Sequence, residues 1–435
     1  MVEGAQSIQD ICIASYDAYS EICSKLMKLC PRLVPSPLWG LSLASIARMS
    51  PQAALAICDD CDKIVEQVHE YWMNLNRNGE CEVCGGKGTD IDEDWRYCTY
   101  SKEGKLVSSD DILRGILPNE LHGIAYLVGL KLLCEKCHLA KHLGYSMVRG
   151  MLGEAVEQLA KINGMERDEL KQYTRLAFRI HLKLSRIKDW SIRIGKLTGL
   201  DENLRDEIEM LLNMMYRKGL YLFRGWLNYW NEKYEETVKP RIERETISIL
   251  LRAIEELHKG ETDDTKIEVV NAILNIIEKR FQQHGILVYK DGLNLFITRT
   301  LGMDLQRTSL GRLRELVTGL IDREDLSGKW IVFVPVLQYP KVFSEIVNSL
   351  KEKNLAYSAA IFARRKEYKK RRELPVIIDV PSALAIEYVA GVAKVVKNVL
   401  KMYDINRKLY FKPLMFSRVK SYGKQTLRKP FIYIC

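Results

Sequence analysis

Two cysteine pairs, Cys81-Glu-Val-Cys84 and Cys134-Glu-Lys-Cys137, stand either side of a 49-residue stretch and constrain the fold more than any other feature of this 435-residue chain. The second pair runs directly into His138-Leu-Ala-Lys141-His142. Each Cys-x-x-Cys knuckle turns two thiolates toward one point, so Cys81, Cys84, Cys134 and Cys137 together can close a tetrahedral shell around one zinc ion. Gly85 and Gly86 suit the first knuckle, where backbone N–H groups must turn toward sulfur. A segment this polar cannot bury a core of its own, and a structural zinc supplies the folding free energy it lacks. Residues 81–142 therefore read as a metal-organised module.

The rest of the composition bounds the class. A hydrophobic content of 47% with 28% charged residues is that of a globular chain, not a disordered one. No apolar stretch reaches the roughly 18–20 uncharged residues of a membrane-spanning helix; the longest, residues 374–396, is broken by Asp379, Pro381 and Glu387. Met1 is followed by Val-Glu-Gly-Ala-Gln, with no cationic and apolar export signal. Eleven cysteines, four of them at metal spacing, fit a reducing cytoplasm better than an oxidising compartment. The expectation is a cytoplasmic protein without membrane contact. The net charge of +10 is unevenly spread: residues 328–435 carry 22 lysines and arginines against 7 aspartates and glutamates, while the remainder is mildly acidic. A basic C-terminal segment points to an anionic partner or to a lysine-rich solubilising surface.

Periodicity divides the chain into four expected segments. Residues 1–77 read as a helical region, with prolines at 31, 35 and 37 and a second helix opening at Ser50-Pro51. Cys58 and Cys61 fall inside that helix, as small buried residues or, less simply, as metal ligands. Residues 78–197 hold the zinc module and following helices, with a polar loop or hairpin over residues 96–111. Residues 198–327 read as an all-helical middle domain, with Asp201 as an N-cap and Gly260 and Gly285 as C-caps. Tyr221, Phe223, Trp226, Tyr229, Trp230 and Tyr234 form a dense aromatic set there, for which core packing is the first reading and a base-stacking surface the second. From Gly328 the period changes to short β-rich runs separated by helices, giving a basic α+β domain over 328–435.

The module's residues resemble a known family. Cys81-x-x-Cys84-Gly85-Gly86, Glu93-x-Trp95-x-Tyr97 and Leu133-Cys134-x-x-Cys137-His138-x-x-Lys141-His142-x-Gly144 are similar to the HNH-type zinc-knuckle proteins. Val34-Pro35-x-x-x-Trp39-Gly40, Leu159-x-x-Ile162-Asn163-Gly164 and Ser185-x-x-x-Asp189-Trp190 extend the likeness over about residues 31–197. The resemblance implies a ββα-metal, treble-clef-like module with a catalytic divalent ion, Mg2+ or Mn2+, beside the structural zinc. It also implies a histidine as general base on water and a helix histidine on the metal, the position that His138 matches. The sequence departs from the pattern: Asp92 stands at the first histidine position and the middle asparagine falls near Gly129. Aspartate is a weak base at neutral pH. Asp92 or Glu93 can instead ligate a cation, and His122, in an apparent insertion, is a candidate for the missing base. His142 reads as a zinc-shell or phosphate contact or, more plainly, as a helix-end residue.

Gly328-Lys-Trp330-Ile-Val-Phe-Val-Pro335, Leu409-Tyr410-Phe411-Lys412-Pro413 and Ser421-Tyr422-Gly423 resemble the basophilic leukaemia-expressed protein family, which implies a cap-binding-factor-like fold, a curved sheet backed by helices. A cap-binding role does not follow, since Trp330 is the domain's one tryptophan and its strand position implies core. The strongest local feature is Arg364-Arg365-Lys366-Glu-Tyr368-Lys369-Lys370-Arg371-Arg372, an electrostatic footprint for phosphate or a solvated loop between strands. The sequence thus reads as a multidomain, mostly α protein with a zinc module and a C-terminal α+β domain. Its expected role is nucleic-acid binding, DNA or RNA, through a degenerate HNH-like module. The alternatives are a working metal-dependent HNH endonuclease and a zinc-containing adaptor that docks a protein partner through its helical middle.

Overall fold

The computed structural model describes residues 17–114, 121–223, 225–258, 266–301, 309–365, 371–418 and 431–435. It is a mixed α and β structure with two sheets, more β-rich than the mostly helical architecture expected from the sequence. The chain divides into two compact units, one of residues 1–48 and 63–222 and the other of residues 49–62 and 223–435.

The first unit is built on a four-stranded sheet in the order β2-β1-β3-β4, with β1 at Asp90–Ser101, β2 at Leu106–Val107, β3 at Leu121–Leu133 and β4 at Asp189–Ile194. β1 and β3 form a long antiparallel ribbon, interrupted by a register shift at Asp94/Trp95. β4 lies parallel to β3, and parallel neighbours need a crossover; the helices between Glu135 and Leu184 supply it. Burial of Trp190 and Tyr97, whose rings meet edge to face, anchors one side of this sheet. The exposed edge of β4 is closed by the helix Glu202–Arg217: Asn213 bonds both the N–H and the C=O of Ile192, and Glu209 accepts the N–H of Ile194. Asp201 caps that helix, accepting the N–H groups of Asn203 and Leu204, as its sequence position predicts.

The boundary between the units falls within β5 (Leu220–Phe223). The second unit contains an antiparallel sheet in the order β6-β9-β10-β8-β11-β12-β7, formed by Trp226–Trp230, Ser358–Phe362, Glu373–Val380, Gly328–Pro335, Tyr410–Pro413, Tyr433–Ile434 and Leu287–Val288. On β8 and β10 buried and half-exposed residues alternate strictly, so these strands have one core face and one open face, whereas β9 is buried on both faces from Ser358 to Ile361. Helices Tyr339–Glu352 and Ile386–Met402 belong to the core side, where Trp330 is fully buried and its indole N–H donates to the Val389 carbonyl at 3.1 Å. Helices Lys239–His258 and Lys266–Gln283 pack in turn on Ile386–Met402.

The helical middle is therefore not a domain of its own. Its residues from Phe223 onward fold with the C-terminal sheet and contribute the strands β6 and β7 to it. The excursion 49–62 joins the same unit, with Ser50 N–H donating to the Ala363 carbonyl. Cys58 and Cys61 are joined there as a disulfide, neither metal ligands nor free packing residues. Cys23 and Cys30 form another disulfide, and Cys98 is disulfide-bonded too. Cysteine usage thus loses its force as an argument for a reducing compartment. Among the described residues, no helix is long and apolar enough to cross a membrane.

Candidate metal centre

The two knuckles meet where the β1–β3 ribbon ends and the helix Glu135–Lys141 begins. Gly85 takes φ 71°, a left-handed conformation open to glycine, and its N–H donates to the Cys81 carbonyl, closing the first knuckle. The second is the helix start itself, with Cys134 in the cap position and Cys137 in the first turn. The four Sγ atoms lie within 4.8 Å of one another, and Cys84 and Cys134 are 3.6 Å apart. A tetrahedral ZnS4 centre with bonds of about 2.3 Å needs sulfur–sulfur edges near 3.8 Å, so the set is able to hold a metal ion such as zinc. Burial raises the Cys81 thiol, but hydrogen bonds from the backbone at Cys134, Cys84 and Val83 outweigh it and bring the group down to about 7. Gln158 donates to Cys137 Sγ at 3.5 Å, the outer-sphere support that metal thiolates commonly receive.

One helical turn further on, a second cluster forms. His138, Lys141 and His142 share a helix face because they are three and four residues apart, and all three point at Asp92 on β1. His142 Nε2 is 2.6 Å from Asp92 Oδ1, His138 Nε2 is 3.6 Å from the same oxygen, and Lys141 holds the other oxygen. Lys141 also donates to the Glu93 carbonyl at 3.2 Å and reaches Asp94 Oδ1 at 3.4 Å, so its ammonium is fully engaged although 4% exposed. Asp94 is further paired with Arg32 and Lys131, and Arg32 with Asp17. Three carboxylates therefore face three cations. Burial raises the Asp92 carboxyl, but the bond from His142 and the charge of Lys141 prevail and hold it well below the usual carboxylate range. Burial beside His142 lowers His138, keeping its imidazole in the neutral form that binds metals.

Asp92, His138 and His142 form a one-carboxylate, two-imidazole set whose ligand atoms all lie within 4.8 Å. Imidazole donors suit a transition ion such as Mn2+ or Zn2+ better than Mg2+, which prefers oxygen. Metal entry would replace the His142–Asp92 hydrogen bond with two bonds to the ion.

Glu93, next in the chain, points to the other side of β1. Its carboxylate accepts the N–H groups of Leu43 and Ala44 at 3.1 and 2.7 Å and the Trp95 indole N–H at 2.9 Å. Gly129, where the middle asparagine of the HNH pattern falls, pairs with Asp94 beside the register shift and brings no side chain. No protein-family model, no curated protein and no solved structure matches this chain.

Of the residues singled out in the sequence, Asp92 and His138 are brought together and His122 is not. Asp92 pairs with Lys131 and Tyr100 with His122, which places His122 nine residues, about 30 Å, along the ribbon. There His122 bonds Asp189 at 2.6 Å and Ser191 at 3.0 Å. In the basic run, Arg364 is exposed with its side chain against Gly225, and Arg371 and Arg372 are exposed ahead of β10. Lys366, Lys369 and Lys370 lie outside the described residues. Sequence reasoning gave His142 a plainer role than it has and passed over Lys141, Asp94, Arg32 and Asp17. The i, i+3, i+4 spacing of His138, Lys141 and His142 was the available signal.

Proposed function

We propose that this chain is a nucleic-acid-binding protein whose ribbon–helix module carries a structural zinc ion on Cys81, Cys84, Cys134 and Cys137 and a second cation pocket at Asp92, and that the module is a degenerate HNH-like unit. The observation that carries the reading is that both carboxylates at the first-histidine position of the HNH pattern are engaged. Asp92 is paired with Lys141 and His142, and Glu93 spends its carboxylate on three N–H donors. Neither is free to take a proton from water. A cation there would supply charge neutralisation for a phosphate. Asp17, Asp92 and Asp94 are already balanced by Arg32, Lys131 and Lys141, so an added divalent ion leaves positive charge that a phosphodiester would match. The basic balance of residues 328–435 supports the same partner.

Elemental analysis is expected to find about one zinc per chain, together with salt-sensitive retention of nucleic acid and no nicking of plasmid in Mg2+ or Mn2+. The Asp92–His138–His142 cluster favours one second reading, a working metal-dependent endonuclease. Manganese-dependent nicking that is lost in His138→Ala and kept in a Met402→Ala control would select it. No retention of any nucleic acid at low salt would remove both readings.

A further inference from the structure

The open face of the second unit's sheet is patterned by register into rows that run across the strands. At one end Trp226 pairs with Phe362 across β6 and β9 and Pro375 with Phe333 across β10 and β8, and between the two pairs the Tyr339 hydroxyl donates to the Pro375 carbonyl and accepts the Phe362 N–H. Trp226 and Phe362 stack with ring centroids 3.7 Å apart, and Phe333 is 42% exposed although it sits mid-strand. The next row carries Ile377, Ile331 and Tyr410. Beyond it Asp379, Lys329 and Lys412 stand in register on β10, β8 and β11. Asp379 stands between Ser358 and Lys329, and Lys329 stands directly opposite Lys412, so two like charges face one another in a row that holds a single carboxylate. At the other end of the face, Arg371 and Arg372 lead into β10, and Arg372 C=O accepts Val336 N–H next to the Phe333 end of β8. Half-exposed rings thus lie between two margins of net positive charge, Lys329 and Lys412 beside Asp379 at one end, and Arg371, Arg372 and Arg407 beside Glu373 at the other.

We infer that this open face is the binding platform for a single-stranded nucleic acid, with bases resting on Phe333, the Trp226–Phe362 pair and Tyr410, and phosphates along Lys329 and Lys412. The inference rests on the nucleic-acid reading above and deepens it. Aromatic faces stack any base, and flanking cations track the backbone, so the platform is tolerant of sequence. A duplex hides its base faces and meets only the cationic margins. Charge complementarity favours this occupant over an apolar segment of protein, which would bury two lysines, Lys329 and Lys412, beside the single carboxylate of Asp379.

The test is fluorescence anisotropy of the full chain with labelled oligothymidylate and oligouridylate of roughly 15 nucleotides, against a blunt duplex of equal length. Single strands are expected to bind more tightly than the duplex, and the DNA and RNA arms rank the two sugars. Phe333→Ala, at an exposed position, is expected to weaken single-strand binding about ten-fold without shifting Tm. Lys412→Ala is expected to reduce the slope of log affinity against log salt by about 0.7. Leu337→Ala, 91% exposed and in the turn after β8, is the apolar control and is expected to change nothing. Wild-type binding that neither Phe333→Ala nor Lys412→Ala alters overturns the platform and leaves the nucleic-acid reading standing. Failure of the wild type to bind any of the three at about 50 mM salt overturns both. A change in self-association instead of oligonucleotide affinity on Phe333→Ala assigns the face to a second copy of the chain and overturns the platform.

Discussion

Lys141 is the residue on which the module's electrostatics turn. Its ammonium holds one oxygen of Asp92 and touches Asp94, both nearly inaccessible to water, and removal of one member of a buried ion pair costs about 3–5 kcal/mol. Lys141→Met is therefore expected to lower the urea midpoint sharply, and added Mn2+ or Zn2+ to restore part of the loss by replacing the missing charge at Asp92. Denaturation with and without the ion measures both effects. The same network fixes a pH dependence. Burial raises the Asp94 carboxyl, but Lys141, Arg32 and Lys131 more than offset it and leave the group below its ordinary range. A carboxyl depressed in the folded state contributes stability that is complete above its unfolded value of about 3.9 and is lost as pH falls through the folded value. Urea midpoints are expected to hold level down to about pH 5 and to drop below about pH 4, with a shallower drop in Asp94→Asn.

At the scale of elements, the β3–β4 pairing depends on an absence. Gly123 lies beside Trp190, and a methyl group added at Gly123 would come within 2.5 Å of the indole ring. Gly123→Ala must push Trp190 off its seat against Tyr97, a form of overpacking that costs about 1–3 kcal/mol. The expected result is a lower Tm with altered tryptophan fluorescence, and Gly123→Ala/Trp190→Phe should recover part of the loss because the two sites are in contact. β1 makes the complementary point. Its opening Asp-Ile-Asp-Glu-Asp has poor strand propensity, yet the segment is a twelve-residue strand. The ion pairs of Asp92 and Asp94 and the cap that Glu93 places on the helix at Leu43–Ala47 hold it there. Chelation, or Cys84→Ser, is expected to loosen the end of this ribbon first, read as faster amide exchange at residues 90–94 and 129–133 than in the rest of the sheet.

At the scale of the whole molecule, the second unit is assembled from segments far apart in sequence. Residues 328–435 contain the central strands, but β6 and β7 and the helices over Ile386–Met402 come from residues 226–283 and 287–288. Thr246 bonds Ser382 at 2.9 Å and Glu245 accepts the Tyr388 N–H at 2.8 Å across that seam. Residues 328–435 expressed alone would expose the apolar side of Ile386–Met402. They are expected to be molten or aggregated, with weak near-UV dichroism, in contrast to the intact chain.

Local chemistry was legible before any fold. Paired Cys-x-x-Cys knuckles, the Asp201 cap, the Trp330 core position and the strands after Gly328 all depend on residues close in sequence, whose spacing carries the constraint. Long-range pairing was not legible in the same way. The aromatic set at 221–234 scans as helix because its apolar content is high in any period, and only its partners on β9 make part of it strand. Asp92 looks like a failed histidine until Lys141 and His142 arrive from 49 and 50 residues away to hold it ionised. Cys58 and Cys61, four residues from end to end, looked like packing and are a disulfide. Spacing limits which groups can meet, whereas burial and charge balance, set by distant chain segments, settle what each group becomes.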